Sequence, residues 1–435
     1  MDSAASSLTS IVVVGLLGLS PPAGSTSGVR LAPCTAAPAP LITSYDVDPR
    51  ELLGDIAPKA GSPLDDTSAT TRPLPEGAVK PGRSYRLTFL ARSSGGGHAV
   101  VSVRFREPRH STTFRTFRQD VTSDALQPYE IDFVAPAYTK QAELAVEVNR
   151  GKLALSSLSL KMRAPIPRTQ TLTSCAGSFI PPGYRLVFND EFDGTALDRS
   201  KWFTRYIHES ETGDHLNDEA EIYTDNDTHV VANGVLRLVA RRRSPSPRPG
   251  VNYESGMIRS DWTGRYGFFE ARVRMPGGRG VFPAFWVIAD VAESGRINWP
   301  PEIDFFEFVN NGKDDKADML HIAASSPPGV PPVYTYLDPG FVLARKDYHA
   351  PFRFDQGWHT IAAEWTPTTV SAYVDGLLVA TREFQWRHND GQLAGPAHIL
   401  LNLAIGGRWA GRYGVDDAAF PQALEVDWVR VYQKP

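Results

Sequence analysis

Cysteine is nearly absent from this chain of 435 residues, which holds only Cys34 and Cys175. That excludes a disulfide-stapled scaffold and any cysteine-rich zinc module. A single bond between the two would tie the N-terminal tail to the interdomain linker, and two unpaired thiols are the alternative; spacing leaves both open. Basic excess is lacking as well. With 45 Lys and Arg against 49 Asp and Glu, the net charge of −4 offers no positive field to a nucleic acid. A phosphate-binding loop is also missing. Long apolar runs are absent, and the clearest short one, residues 11–19, cannot span a bilayer.

That run is followed by Pro21-Pro22-Ala23-Gly24-Ser25 and reads as the core of a secretion signal. It is atypical, because Asp2 stands before it without any Lys or Arg. Leu31-Ala32-Pro33-Cys34 makes a poor lipoprotein site, since Pro33 occupies a place for a small residue. Secretion, extracellular or periplasmic, is the expected localisation, with no membrane partner.

What is present is β structure. Glycine (36) and proline (35) are abundant and aromatics reach 10%, in keeping with a loop-rich all-β chain of more than one domain. Residues 1–40 read as a signal-like, disordered N-terminal segment. Residues 41–163 read as a small β-sandwich, with Tyr85, Leu87 and Phe89, then Tyr129, Ile131 and Phe133, alternating with polar neighbours. Two more strands are expected over 143–148 and 153–160. Residues 164–182 form a Pro/Ser/Thr linker, semi-extended and water-exposed. Residues 183–435 make the second domain, where Phe269, Ala271 and Val273 alternate with Glu270, Arg272 and Arg274. A hairpin is expected over 370–380, turning at Asp375-Gly376, and a closing strand over 424–432.

One stretch organises the rest: Trp299-Pro300-Pro301-Glu302-Ile303-Asp304-Phe305-Phe306-Glu307-Phe308. Its Phe and Ile favour a strand, and the prolines stop a helix from entering it. In a plain strand Glu302 and Asp304 share a face, while Glu307 points the other way. A β-bulge at Phe305-Phe306 restores the parity and turns Glu307 back beside the other two. Two carboxyls about 5–5.5 Å apart can cleave a glycosidic bond with retention, one as nucleophile and one as proton donor. A flat strand would hold their Cβ atoms about 13 Å apart, so the strand must curve. Asp304 is placed to hydrogen-bond one Glu and to raise the pKa of the other. The plain alternative is an acidic edge strand facing water, which the aromatic surroundings disfavour.

Glu302-Ile303-Asp304-Phe305-Phe306-Glu307 resembles the bulged E-[ILV]-D-x-x-E signature of glycoside hydrolase family 16. Laminarinases and their agarase-like and exopolysaccharide-cleaving relatives carry it. The resemblance spans residues 182–433. It includes Gly280-Val281-Phe282-Pro283-Ala284-Phe285-Trp286, like the family's G-x-W-P-A-x-W, and the segment from Asn402 to Trp409. It also includes Val426-Asp427-Trp428-Val429-Arg430-Val431-Tyr432. The resemblance implies a β-jelly-roll catalytic domain with Glu302, Asp304 and Glu307 as catalytic residues. Lys80-Pro81-Gly82 through Ala91, with Leu158-Ser159-Leu160, resembles carbohydrate-binding modules of the jelly-roll type. For residues 41–163 sugar binding and a spacer role both stand, as Tyr45, Phe105, Phe114, Phe117 and Tyr138 suit either a sugar platform or a core.

The resemblance also implies substrate contacts. Trp286, Trp299 and Trp409 fall in segments that line the family's cleft, whereas Trp365 and Trp428 read as core. His321 falls where it could bond Asp304 or the leaving sugar; His359 reads as structural. Asn217, Glu219 and Tyr223 resemble the N-x-E-x-x-x-Y-T segment that contributes sugar contacts, and Arg259 could reach a hydroxyl. No cofactor is required. Glu191, Gly234 and Asp427 stand where relatives hold a structural calcium, with a salt bridge or cap as the alternative. Pro301 and Phe282 depart from the laminarinase pattern, which has Gly and Trp there. The expected activity is endo-acting, retaining hydrolysis of a β-1,3- or mixed-linked glucan by a monomer. A succinoglycan-type exopolysaccharide, transglycosylation and a non-catalytic lectin are the alternatives.

Overall fold

The computed structural model describes residues 29–36, 69–74, 78–79, 84–106, 113–135, 141–162, 172, 174–198, 201–204, 206, 215–224, 227–246, 249–289, 299–327, 337–338 and 341–435. The signal-like run 11–19, Tyr45, Tyr138 and the side chain of Phe114 lie outside them. Strands dominate. Among the described residues the sole α-helix is the single turn Gly407–Ala410, and no helix is long and apolar enough to cross a membrane.

The first unit is one five-stranded antiparallel sheet in the order Ala69–Pro73, Gln141–Met162, Ser84–Arg106, Thr113–Val121, with Gln127–Val134 also pairing Ser84–Arg106. The two short strands expected over 143–148 and 153–160 are halves of the 22-residue Gln141–Met162. That strand and Ser84–Arg106 change register together near Ser94 and His98. Glycine is required there, because a Cβ on Gly151 would sit 2.3 Å from the Ser94 carbonyl oxygen. Tyr85, Leu87, Phe89, Ile131 and Phe133 fill the core as their alternation predicts, and Phe105 joins them. Phe105 is therefore core and no sugar platform. Phe117 packs edge-on against Phe203 of the second unit, ring centroids 6.4 Å apart.

The second unit stacks two large sheets. One has ten strands, with Leu377–Glu383, Thr369–Val374, His359–Trp365, Gly267–Arg274, Gln422–Gln433 and Val235–Arg242 along its main path. The other has eight: Leu337–Asp338, Phe341–His349, Met319–Ser326, Glu302–Glu307, Val281–Ala289, Ala397–Ile405, Met257–Gly264 and Trp202–Phe203. Phe269, Ala271 and Val273 from one meet Phe285, Val287, Ile303, Phe305 and Phe306 from the other in a shared core. This is the double-sheet, jelly-roll-class sandwich expected for residues 183–435. The predicted hairpin forms, with Asp375 at φ 48° and Gly376 at φ 76°, the left-handed pair a two-residue turn needs.

Two sequence expectations give way on the outer face of the ten-stranded sheet. The described end of the linker is not water-exposed, and part of the tail read as disordered is ordered. Leu172, Cys175 and Ser178 are buried against this face, since Leu172 packs with Leu186, Phe268 and Tyr373. Burying those apolar groups outweighs leaving the segment in solvent. Residues 29–36, read as disordered tail, run alongside: Leu31 N donates to Gly376 O at 2.8 Å and Cys34 N to Ser178 O at 2.8 Å. Cys34 and Cys175 form a disulfide, Cα atoms 5.7 Å apart, closing a 141-residue loop that contains the whole first sheet. Reduction, or Cys175→Ser, should cost about 2–4 kcal/mol by freeing that loop in the unfolded chain. A Tm unchanged by reductant would show that the strap adds nothing.

Glu270, one of the polar residues alternating with Phe269 and Ala271, is fully buried under this cover. It accepts bonds from Ser178 Oγ, from Tyr432 OH at 3.0 Å and from Phe179 N at 3.3 Å. Burial pushes its carboxyl up to about 7, only partly offset by these bonds and by Arg430. The folded state therefore keeps this proton over a range where the unfolded chain has lost it. Stability should be greatest below the ordinary Glu value of 4.5 and fall as pH rises to about 7, by roughly 1.4 kcal/mol per pH unit from this group. Glu270→Gln should flatten that slope in urea unfolding at pH 5 and 7.5. An unchanged slope would refute the assignment.

Candidate active site

The strand Glu302–Glu307 lies between Val281–Ala289 and Met319–Ser326 in the eight-stranded sheet. Its register shows the extra residue the sequence requires. Asp304 pairs with Trp286 and Phe306 with Phe285, which leaves Phe305 over. On the other side Asp304 pairs with Ala323 and Glu307 with His321, again with a shift between them. Ile303, Phe305 and Phe306 all point into the shared core. Two consecutive core-facing phenylalanines are how the chain spends the bulge, and Glu302, Asp304 and Glu307 share the opposite face.

On that face Glu302 and Glu307 are partly exposed, while Asp304 between them is buried at 7%. Burial raises the Asp304 carboxyl well above the usual aspartate range, and the charges of Glu302 and then Glu307 add to it. Asp304 was expected to hydrogen-bond one glutamate. Among the described residues no such bond is found, and the coupling is electrostatic. Trp299 Nε1 donates to Glu302 Oε2 at 3.2 Å, which fixes this carboxylate against the indole.

The substrate-contact residues divide by burial. Trp299 and Trp409 are partly exposed and Asn217 is open to solvent, bonding Glu219 Oε1 at 3.2 Å. Trp286 and Tyr223 do not offer a free surface. Trp286 Nε1 donates to Asn402 Oδ1 at 2.9 Å, and Asn402 Nδ2 donates to Tyr223 OH at 3.1 Å. Both rings lie in an apolar bed with Tyr206, Met257, Ile288 and Leu400, beneath Trp299. They support the surface instead of forming it. Arg259 is likewise buried, stacked over Phe203 at 4.8 Å with Nη1 3.3 Å from His398 Nε2. Its expected reach to a hydroxyl is a correction, because the guanidinium is built into the sheet.

His321 is corrected in the same way. It is fully buried, with Nε2 2.8 Å from Asp315 Oδ1 and Nδ1 2.8 Å from Asp347 Oδ1. Those aspartates, rather than Asp304 or a sugar, take its ring nitrogens. His359 is structural as expected, bonding Asp375 Oδ2 at 2.9 Å. Trp365 and Trp428 are buried.

The side chains of Glu191 and Asp427 make the salt bridges that stood as the alternative to calcium. Arg430 holds Glu191 through two bonds, at 3.0 and 2.7 Å, and Arg272 holds Asp427. Gly234 stands at φ 72° as a turn residue. Among the described residues no cluster of three His, Cys, Asp or Glu side chains is arranged for a metal.

Sequence reasoning did not single out Tyr206, Asn402, Glu221, Asp315 or Asp347. Glu221 is fully buried, and burial followed by neighbouring Glu219 lifts its carboxyl well above the usual range. It sits inside the N-x-E-x-x-x-Y-T segment, where two acids at one-residue spacing were the available signal. Asp315 lies eight residues beyond Glu307 and Asp347 on the later strand Phe341–His349, and nothing local marks either.

Residues 216–430 match the model for glycosyl hydrolases family 16. A beta-glucanase of Rhodothermus marinus is 34% identical over 278 residues, covering 58% of this chain and 86% of that protein. Glucan endo-1,3-beta-glucosidase A1 of Niallia circulans is 27% identical, but the chain spans only 38% of its length. The laminarinase structure from Rhodothermus marinus has 32% identity and a TM-score of 0.46, covering 57% of this chain and 97% of that one. With the bulged acidic strand in place and most of a 34%-identical relative covered, the chain belongs to glycosyl hydrolases family 16.

Proposed function

We propose that this glycoside hydrolase cleaves internal bonds of a β-1,3- or mixed-linked glucan with retention. Glu302 attacks the anomeric carbon and Glu307 protonates the leaving oxygen. A covalent glycosyl-enzyme forms on Glu302. Glu307, now a carboxylate, then takes a proton from water as it attacks, which frees Glu302 and restores the acid. Asp304 supports the pair from between them. The raised Asp304 carboxyl leaves the negative charge to Glu302, the nucleophile, while Glu307 carries the proton it donates.

The observation that carries this reading is the bulged strand that turns three carboxyls to one face, the middle one buried and electrostatically coupled to the others. The partly exposed Trp299 and Trp409 and the open Asn217 are the proposed sugar contacts. The glucan is carried over from the names of the relatives. Secretion is proposed too, supported by the Cys34–Cys175 disulfide, a bond favoured in oxidising compartments.

The test is release of reducing ends from laminarin, mixed-linkage glucan, agarose, carrageenan and succinoglycan. Cleavage of laminarin or mixed-linkage glucan to oligomers of intermediate length supports the reading. Cleavage of succinoglycan alone would move the specificity and make Pro301 and Phe282 its markers. Products longer than the starting oligomer would mean transfer to a sugar instead of water.

A further inference from the structure

The residues around His321 carry an inference that rests on the reading of Trp409 as a sugar surface. Glu307, His321 and Asp347 are register partners across three adjacent strands, so they form a row on one face of the sheet. His321 sits in the middle, fully buried, with a carboxylate oxygen 2.8 Å from each ring nitrogen.

A neutral imidazole has one N–H and one acceptor nitrogen, and an ionised carboxylate offers only acceptors. Two such partners therefore demand a second proton, on the ring or on one acid. Asp315 is not the carrier. Its Oδ2 already accepts from Asn311 Nδ2 at 2.6 Å and Trp409 Nε1 at 3.0 Å, while Oδ1 faces His321. With two donors already on Oδ2, Asp315 stands as the acceptor of its pair with His321. Asp347 has a side chain 42% exposed, where water stabilises its charge. The proton belongs to the ring.

Asp315 is itself fixed. Asn311 Oδ1 accepts from the backbone N–H groups of Lys313, Asp314 and Asp315, closing a tight turn. Trp409 is thus gripped at its N–H by Asp315, its ring 4.8 Å from His321 on one side and 5.1 Å from Phe282 on another. Other charged groups on the surrounding elements include Glu307 and Asp304 of the acidic strand, Lys313 and Asp314 of the Asn311 turn, Lys346 beside Asp347, Arg412, which bonds Asp314 at 3.0 Å, and Arg408 of the helical turn, which bonds Asp218 at 2.7 Å.

We propose that His321 is a positioning residue, held as imidazolium between Asp315 and Asp347, and that through Asp315 it fixes the Trp409 indole as a sugar platform beside Glu307. The role is in substrate binding, so the signature is in KM and not in kcat. Phe282 takes part as the second wall of that indole, which gives its departure from the laminarinase pattern a physical consequence.

Two measurements on the full chain test this. In protein labelled with 15N-histidine at pH 7.5, one histidine, identified by its loss in His321→Gln, should show both nitrogens protonated. An unprotonated ring nitrogen there overturns the charge state. In laminarin hydrolysis Asp315→Asn should raise KM about tenfold with kcat within about twofold. Combined with Trp409→Phe it should add little to either change alone. If Asp315→Asn does not fold, Asp347→Ala, at the exposed end, replaces it with the same expected rise. A folded variant with unchanged KM overturns the proposal. Unchanged KM in Trp409→Phe alone overturns the platform and the proposal with it. A wild type silent on every glucan would instead overturn the proposed function.

Discussion

Glu302→Gln should lower turnover of the cleaved glucan by at least roughly 10⁴-fold, the scale seen when a covalent nucleophile is removed. An amide cannot form the glycosyl-enzyme, so the step has no substitute within the site. Binding should persist, because Gln keeps the volume and can still meet Trp299 Nε1, now 3.2 Å from Glu302 Oε2, through its carbonyl oxygen. Stability should change little, since position 302 is partly exposed and the core side of the strand is untouched. Reducing-end assays and calorimetric titration with the same oligosaccharide check both halves. Residual activity near wild type would remove Glu302 from the chemistry. Loss of binding alongside turnover would mean that the substitution disturbed the surface and not the nucleophile alone.

Deleting Phe305 should be the most damaging single change to the core side of the acidic strand. The bulge accommodates Phe305 and Phe306, which both enter the core. Without Phe305, Glu307 follows Glu302 by four positions, so simple alternation without a bulge keeps Glu302, Asp304 and Glu307 on one face. The vacated phenylalanine volume costs about 3–5 kcal/mol. The deletion variant should therefore unfold at lower urea, yet its folded fraction should retain turnover well above that of Glu307→Gln. Phe305→Leu is the control: it keeps the bulge and should lose less stability. A folded deletion variant as inactive as Glu307→Gln would show that the bulge itself, and not only the parity of the acids, sets the geometry of Glu307.

Much of this was legible in the sequence, for reasons that differ from residue to residue. The bulge was readable because parity on a strand is arithmetic: an acid five positions on must change face unless one residue is added. The hairpin at Asp375-Gly376 was readable because few residue pairs tolerate left-handed dihedrals in succession. The placements that failed were those of polar and aromatic side chains beyond the acidic strand. Arg259, His321 and Trp286 lie on strands of the sheet that carries the acids, and Tyr223 packs against Trp286 from a strand of the other sheet. Position along the chain does not give their depth. That depends on what covers them, and the covering side chains come from residues 206 and 216 and from the segment around Asp315.

The sequence alone determined which face each residue of the acidic strand occupies, since backbone periodicity is local and needs no partner. It also determined the two-sheet class, because alternating apolar residues must bury one side. Tertiary structure alone decided the state of the groups on that face. Asp304 is displaced because burial removes water from it and two acids stand beside it. His321 meets two aspartates six and twenty-six positions away, and the arginines that Glu191 and Asp427 meet lie far from them in the chain. Charge and solvation act through space, over contacts that a linear pattern does not contain.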